Sequence, residues 1–443
     1  MSGLLSIRAA AAEAPTVTAL RCNGRTYTFA ALGAAVDARM REIERGHERS
    51  RPYPLVAPSD PATVVTLLAL LELRVPALLL HPRQVDAERD ALITDAARAG
   101  RALPADAVAI IHTSGTTGTP RAAVLTRAAL VASAHASAAN LGWQQDDRWL
   151  ACMPLARVGG LSILTRCLAA RRAVVLAPGF DAAAFPALVD AEHVTLASLV
   201  PTMLARVLDA HPDWMPPAHL RAVLVGGAQA PARLLERAAS RRVPVVVTYG
   251  MTETCSQVAA TPYGERYAAA ACGAGRPLDG VELRVADGRI EVRGPMRMAG
   301  YWGEPPLAPE AWFDTGDMGA IDQRGFLQVH ARRGDLIVTG GENVYPAEVE
   351  RELERCPGID EAAVFGLPDE TWGQTVAAAL VVDPARAPRD DELCAWIRTR
   401  LATHKRPRRI CRVGRLPHTA AGKLDRDALA AFAPLLGTLD ESS

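Results

Sequence analysis

Apolar positions recur along this chain in two rhythms, and their alternation predicts a layered architecture. TYTFAALGAAVDARMREIE, Thr26 to Glu44, carries its apolar residues at helical spacing and enters a helix through Thr28. After a turn marked by proline, ATVVTLLALLELR is apolar on every face and predicts a buried helix, and VPALLLHP follows as a short buried strand. From residue 107 onward, β-branched runs (AVAIIHT, RRAVVLAP, VTLASLVP, LRAVLVGG, VPVVVTYG) alternate with helical stretches rich in Ala, Leu and Arg. Runs of four to eight apolar residues ending in Gly, Pro or Ser are what strands buried on both faces look like, so the expected class is α/β with stacked, largely parallel sheets. Beyond Gly280 the rhythm changes. VELRVADGRIEVRG predicts a hairpin across Asp287 and Gly288, and short strands continue through DTGDMGAIDQRGFLQVHARRGDLIV, which predicts a β subdomain. The final hundred residues predict a small α+β domain, with helices at PAEVERELER and DDELCAWIRTRLATH and strands at EAAVFGLP and QTVAAALVVD.

Composition narrows the class of molecule. The chain has 443 residues, enough for two domains or more, and its 49 Lys plus Arg balance 49 Asp plus Glu. A formal charge of zero argues against a general nucleic-acid or membrane-surface binder. The longest apolar stretch, Pro61 to Leu71, is broken by Glu72 and Arg74 and is too short to span a bilayer. The N-terminal MSGLLSIRAAAAEAP does not read as a secretory signal, so a cytoplasmic enzyme is expected. The eight cysteines include no CxxC and no zinc spacing, which predicts buried, reduced thiols. Only two of the 49 basic residues are lysines, Lys405 and Lys423. Where arginine is the chain's habit, a surviving lysine marks a place where a compact ammonium on a flexible stem is needed.

The sharpest local signal is IIHTSGTTGTPR, Ile110 to Arg121. An apolar strand runs into hydroxyls and glycines, which is what a loop needs if backbone N–H groups and short donors are to wrap phosphate oxygens. It is not the P-loop of nucleoside triphosphatases, because Gly118 is followed by Thr119, Pro120 and Arg121 instead of Lys and Ser or Thr. A solvated Ser/Thr-rich surface loop would show the same residues.

TSGTTGTPR resembles the phosphate loop of the adenylate-forming superfamily: acyl-CoA synthetases, luciferases and peptide-synthetase adenylation domains. The resemblance continues in order through LVGGAQAP, YGMTETCSQ, WFDTGD, ARRGDLIVTGGENVYPAEVE and PHTAAGKLDR. It implies a large N-terminal AMP-binding domain over residues 1–333 and a mobile C-terminal domain over 334–443. It also implies two half-reactions: a carboxylic acid attacks the α-phosphate of ATP, and the acyl-adenylate passes to the thiol of coenzyme A. Two anions must be forced together, which calls for electrostatic neutralisation and orientation.

The same resemblance assigns roles. Thr113, Ser114, Gly115, Thr116, Thr117 and Gly118 would hold the β- and γ-phosphates, with Arg121 as a cation where relatives use Lys. Tyr249, Gly250 and Met251 would lie along the adenine with Gly226, Gly227 and Ala228 at its edge; Thr252 would donate to the α-phosphate and Glu253 would hold Mg²⁺. Asp317 and Arg332 would hold the ribose, Gly334 would be the hinge, and Gly340 and Gly341 would line the tunnel for the pantetheine arm of CoA. Lys423 would bridge the carboxylate and the α-phosphate, while Lys405 reads as structural.

Within the superfamily, YGMTETCSQ, SLVPTML, GGLSILTRCL and GGENVYPAEVE look most like o-succinylbenzoate-CoA ligases of menaquinone biosynthesis. MPLARVGG departs from the usual pattern, because Ala156 and Arg157 stand where an aromatic residue and His are common, just before Gly159 and Gly160. Arg157, with Arg166 nearby, could pair with the second carboxylate of a diacid; an exposed or ion-paired arginine is the alternative for each. Another aryl or acyl acid, loaded onto a carrier protein, is the competing activity, and a non-enzymatic nucleotide-binding relative is a third. A monomer or homodimer is expected.

Overall fold

The computed structural model describes residues 3–98, 102–113, 121–339, 342–369, 372–419 and 424–439. The chain divides into two compact units. The first comprises 1–227, 238–283 and 292–313, and the second 228–237, 284–291 and 314–443.

The first unit is built on two sheets. In the larger, nine strands run in the spatial order 276–277, 256–260, 245–251, 222–225, 196–199, 148–151, 173–176, 18–22 and 25–28. Its centre is parallel: Arg148–Ala151 pairs with Ala173–Leu176 and with Leu196–Leu199, and Ala222–Val225 pairs with Leu196–Leu199 and Val245–Met251. The second sheet orders Gly300–Tyr301, Arg121–Thr126, Ala107–Thr113, Ala77–Leu80 and Tyr53–Val56. The strands Ala173–Leu176, Leu196–Leu199 and Ala222–Val225 are buried along their whole length, as their unbroken apolar runs require. Helices Phe29–Gly46, Pro61–Leu73, Arg127–Leu141 and Val158–Ala170 share one continuous core with both sheets. Thr28 caps the first of these, its hydroxyl accepting from the Ala31 N–H, and Pro61–Leu73 is buried nearly all round.

One end of the parallel strands is locked by a buried ion pair. Asp147, just before Arg148–Ala151, takes two bonds from the Arg221 guanidinium (2.8 and 2.5 Å) and one from the Thr195 hydroxyl. Both charged side chains are almost wholly buried, so removing one partner would cost on the order of 3–5 kcal/mol. These three residues precede three neighbouring strands, which fixes their N-terminal ends and leaves the opposite ends to carry loops.

The second unit holds the hairpin across Asp287 and Gly288, whose positive φ values (51° and 76°) are those of a type I′ turn. Its strands join Phe313–Ile321 and Leu327–Arg332 in a four-stranded sheet. A six-stranded sheet follows, in which Gly373–Val382 pairs antiparallel with Ile359–Asp369 and parallel with Arg409–Val413. Helices Pro346–Glu354 and Asp390–Arg400 pack on it. The expected β subdomain and α+β tail are thus both present. All eight cysteines are free and buried, and among the described residues no helix is long and apolar enough to cross a membrane.

Candidate active site

In an open α/β sheet, ligands sit beyond the carboxyl ends of the strands. Four parallel strands of the first unit end one residue or less before a sequence signal: Ala151 before MPLARVGG, Leu199 within SLVPTML, Val225 before Gly226, and Met251 before Thr252. Because these strands are parallel, the topology collects motifs more than a hundred residues apart along one edge.

The glycines on that edge are there for close approach. A Cβ on Gly226 would lie 2.2 Å from the Thr248 hydroxyl, one on Gly160 would lie 2.4 Å from the Pro154 carbonyl, and one on Gly250 would lie 1.6 Å from the Ser256 carbonyl. Gly227 takes a left-handed φ of 81°. Gly159 is looser, with only the Met153 methyl close. Tyr249 packs on Val258, Val292 and Met296.

After Met251 the chain makes one 3₁₀ turn, Thr252–Thr254, then places Cys255 at φ 51° and Ser256 at φ 103°. Two consecutive non-glycine residues in that region cost on the order of 1–3 kcal/mol each. The Thr254 hydroxyl bonds the Met251 and Ser256 carbonyls, and Ser133 donates to the Cys255 carbonyl at 2.8 Å. The turn presents Glu253, whose backbone carbonyl accepts from Met298 N–H (2.7 Å) and whose Oε1 accepts from the Tyr301 hydroxyl (2.8 Å). The other carboxylate oxygen has no protein donor among the described residues.

Arg121 opens the strand Arg121–Thr126 and is paired in register with Thr113, so the two ends of the phosphate-loop segment lie side by side. Its guanidinium stacks on the Tyr301 ring, 3.5 Å from the centroid, and forms a two-bonded pair with Glu304 (3.0 and 2.5 Å). Ser114, Gly115, Thr116, Thr117 and Gly118 lie outside the described residues, as do Gly340, Gly341 and Lys423. Tyr301 and Glu304 were missed by sequence reasoning; the signal available was the GYWGEPP stretch, in which Gly300 has a φ of 140°.

The two candidate arginines have different surroundings. Arg157 caps the helix Val158–Ala170 without a side-chain bond and is exposed. Enough protein surrounds it that desolvation still lowers its pKa, and among the described residues it has no ion-pair partner. Half-buried His81 lies close enough that the Arg157 charge adds to the effect of burial in lowering the histidine's pKa. Arg166, on the same helix, is 2 % exposed. Among the described residues its Nε and Nη2 find no acceptor, and its guanidinium carbon lies 5.6 Å from the centroid of the Trp149 ring. Burial pushes its pKa down to about 10. Cys255 and Cys167 beside it are wholly buried, and desolvation raises both thiols.

In the second unit, Asp317 is buried and pairs with Arg332 Nε at 2.8 Å, the two being register partners on adjacent strands. Ala228 belongs to this unit as well. Gly334 sits in the 3₁₀ turn Arg333–Asp335, exposed, with open space where a Cβ would go and no left-handed φ. Nothing in this conformation therefore requires glycine there. Asp335 accepts from Arg426 (3.2 Å), and Arg426 also reaches Glu350 and the Val364 carbonyl (both 3.0 Å). Lys405 pairs with Glu348 at 2.6 Å, in keeping with a structural role.

Among the described residues no cluster of three His, Cys, Asp or Glu side chains could cage a metal. That fits Mg²⁺, which prefers one or two carboxylates plus substrate phosphates and water over an all-protein cage. Glu253, with one oxygen held and one without a protein donor, offers such a ligand.

Comparison with known proteins agrees with this layout. Residues 96–302 match the family model "AMP-binding enzyme" and residues 348–423 match "AMP-binding enzyme C-terminal domain". The chain is 43% identical over 340 residues to a 2-succinylbenzoate–CoA ligase of Bacillus licheniformis, covering 73% of this chain and 70% of the relative. Among solved structures it is similar to o-succinylbenzoate CoA synthetase (MenE) of Bacillus subtilis in complex with the acyl-adenylate intermediate OSB-AMP, with TM-score 0.83 and 31% identity over 96% of this chain and 97% of that one. The same synthetase in complex with ATP and magnesium ion gives TM-score 0.82 and 31% identity over 96% and 98%.

Proposed function

Because this chain belongs to the AMP-binding enzyme family, we propose that it is an ATP-dependent acid–CoA ligase that converts 2-succinylbenzoate to its acyl-adenylate and then to the CoA thioester. In the first half-reaction a carboxylate oxygen bonds to the α-phosphorus as the bond to the pyrophosphate oxygen breaks. In the second, the CoA thiol, losing its proton, bonds to the acyl carbon and AMP leaves. The product places the enzyme in menaquinone biosynthesis. Both steps concentrate negative charge, so the protein's task is to neutralise and align it.

Each residue has a task in that scheme. Thr113, the loop 114–118 and Arg121 hold the outer phosphates, and Thr252 donates to the α-phosphate. Tyr249 to Met251 and Gly226 to Ala228 frame the adenine. Asp317 accepts from the ribose hydroxyls and Arg332 donates to the ribose. Lys423 neutralises the meeting of carboxylate and α-phosphate. Glu253 is the ligand for Mg²⁺, which when bound neutralises the charge on the transferred phosphate. Residues 334–443 turn about Gly334 between the half-reactions, and Gly159, Gly160, Gly340 and Gly341 leave room for the pantetheine arm.

The observation that carries the acid assignment, beyond the similarity to 2-succinylbenzoate–CoA ligases, is Arg157. It is an exposed cation with no ion-pair partner among the described residues, following one of the strand ends that collect the motifs. A second carboxylate on the acid supplies the missing anion, and a monoacid would leave that cation unpaired. Arg166, farther along the same helix, adds positive potential from within the wall.

The test is ATP–pyrophosphate exchange across 2-succinylbenzoate, benzoates, malonate and fatty acids, followed by CoA titration. Exchange driven by 2-succinylbenzoate and release of free thioester are expected. Exchange confined to another acid, or an adenylate that CoA does not consume, would replace this reading with that of an adenylating enzyme serving a carrier protein.

A further inference from the structure

We propose that Tyr301 is a positioning residue that couples the cation of the phosphate loop to the metal-binding carboxylate, and that Glu304 is the anion ATP must displace. The proposal rests on the reading of Glu253 as the Mg²⁺ ligand. Tyr301 lies on Gly300–Tyr301, an edge strand paired with Arg121–Thr126 (Tyr301 opposite Ala123), so the sheet sets its distance from Arg121. Two neighbours on the same segment fix Glu253 and the strand: Met298 N–H binds the Glu253 carbonyl, and Trp302 N–H binds the Ala122 carbonyl.

One side chain thereby does two things. Its hydroxyl donates to Glu253 Oε1 and holds that oxygen, leaving Oε2 turned over to a cation. Its ring face carries the Arg121 guanidinium at 3.5 Å. Arg121 and Glu304 are both more than 40 % exposed, and an ion pair at such a surface is weak. Phosphate oxygens compete for the same two guanidinium bonds with more charge. ATP therefore exchanges Glu304 for itself while the stack on Tyr301 keeps Arg121 in place.

The test is equilibrium binding of ATP without any acid, titrated with and without Mg²⁺, so that an error about the acid leaves it untouched. Tyr301→Phe keeps the stack and loses the bond to Glu253. The expected result is ATP binding in EDTA within twofold of the parent, with the Mg²⁺-dependent gain in affinity reduced about tenfold or more, the value of one charge-assisted hydrogen bond. Glu304→Gln should strengthen ATP binding up to about fivefold, with or without Mg²⁺, and steepen its salt dependence. An unchanged Mg²⁺-dependent gain in Tyr301→Phe, or equal losses with and without Mg²⁺, would overturn the coupling. Weaker ATP binding by Glu304→Gln would overturn the displacement.

Discussion

Replacing Arg166 with methionine removes a cation from the interior while leaving a flexible side chain that fills most of its volume. Burial brings the Arg166 pKa from the ordinary arginine range down to about 10. A fall of roughly 2.5 at 1.36 kcal/mol each places the cost of keeping this group charged near 3 kcal/mol. That cost applies at every pH below about 10 and is relieved only as the medium rises from there toward the unfolded arginine's pKa. Among the described residues Nε and Nη2 lack acceptors, so no hydrogen bond from those residues offsets it. The face of Trp149, with the guanidinium carbon 5.6 Å from its centroid, returns about 1–2 kcal/mol at most. Arg166→Met should therefore stabilise the first unit by about 1–2 kcal/mol, read in calorimetry as a rise of roughly 2–3 °C for a unit of this size. A fall in melting temperature of similar size would refute the reasoning, since it would mean that the charge is well solvated or paired in the folded chain. Retaining so costly a group points to use, and the same variant should raise the KM for a diacid while leaving that for ATP unchanged.

Lys423→Ala should lower adenylate formation about 10²- to 10³-fold while thioester formation from supplied acyl-adenylate survives; equal loss in both half-reactions, measured by quenched flow, would remove Lys423 from its proposed role. Gly334→Pro fixes φ at a position where a Cβ would meet nothing within 4 Å. It should retain ATP–pyrophosphate exchange and lose thioester release, and unchanged overall turnover would count against the hinge. Glu354, beneath the strand Ile359–Asp369, has its carboxyl pushed up to about 8, first by burial and then by Glu350. Its folded pKa exceeds its unfolded one, so the second unit should lose stability as pH rises from about 4.5 to 8, and Glu354→Gln should flatten that slope in urea melts. A slope unchanged by the substitution would show that other groups titrate there.

Local chemistry made much of the fold legible. Thr28 ahead of a helical rhythm, the Asp287–Gly288 turn and the apolar runs at 173–176, 196–199 and 222–225 each carry their own instruction in a few adjacent residues. What could not be read was pairing across distance. The bonds that tie Arg121 to Glu304 and Tyr301 to Glu253 span 183 and 48 residues, and they depend on a two-residue strand whose partner no local pattern announces. The buried pair of Asp147 and Arg221 is hidden for the same reason: in sequence each is an ordinary charge. Candidate site residues carried by motifs could be named because the motif keeps them together, whereas Tyr301 could not, because its contacts with Arg121 and Glu253 are tertiary.

The most direct test of the central claim follows an oxygen atom. With both carboxylate oxygens of 2-succinylbenzoate's reacting acid labelled as ¹⁸O, attack on the α-phosphorus leaves one labelled oxygen in AMP once CoA has taken the acyl group. Mass spectrometry of the AMP should show that single label in every turnover. AMP free of label alongside accumulating thioester would contradict the account.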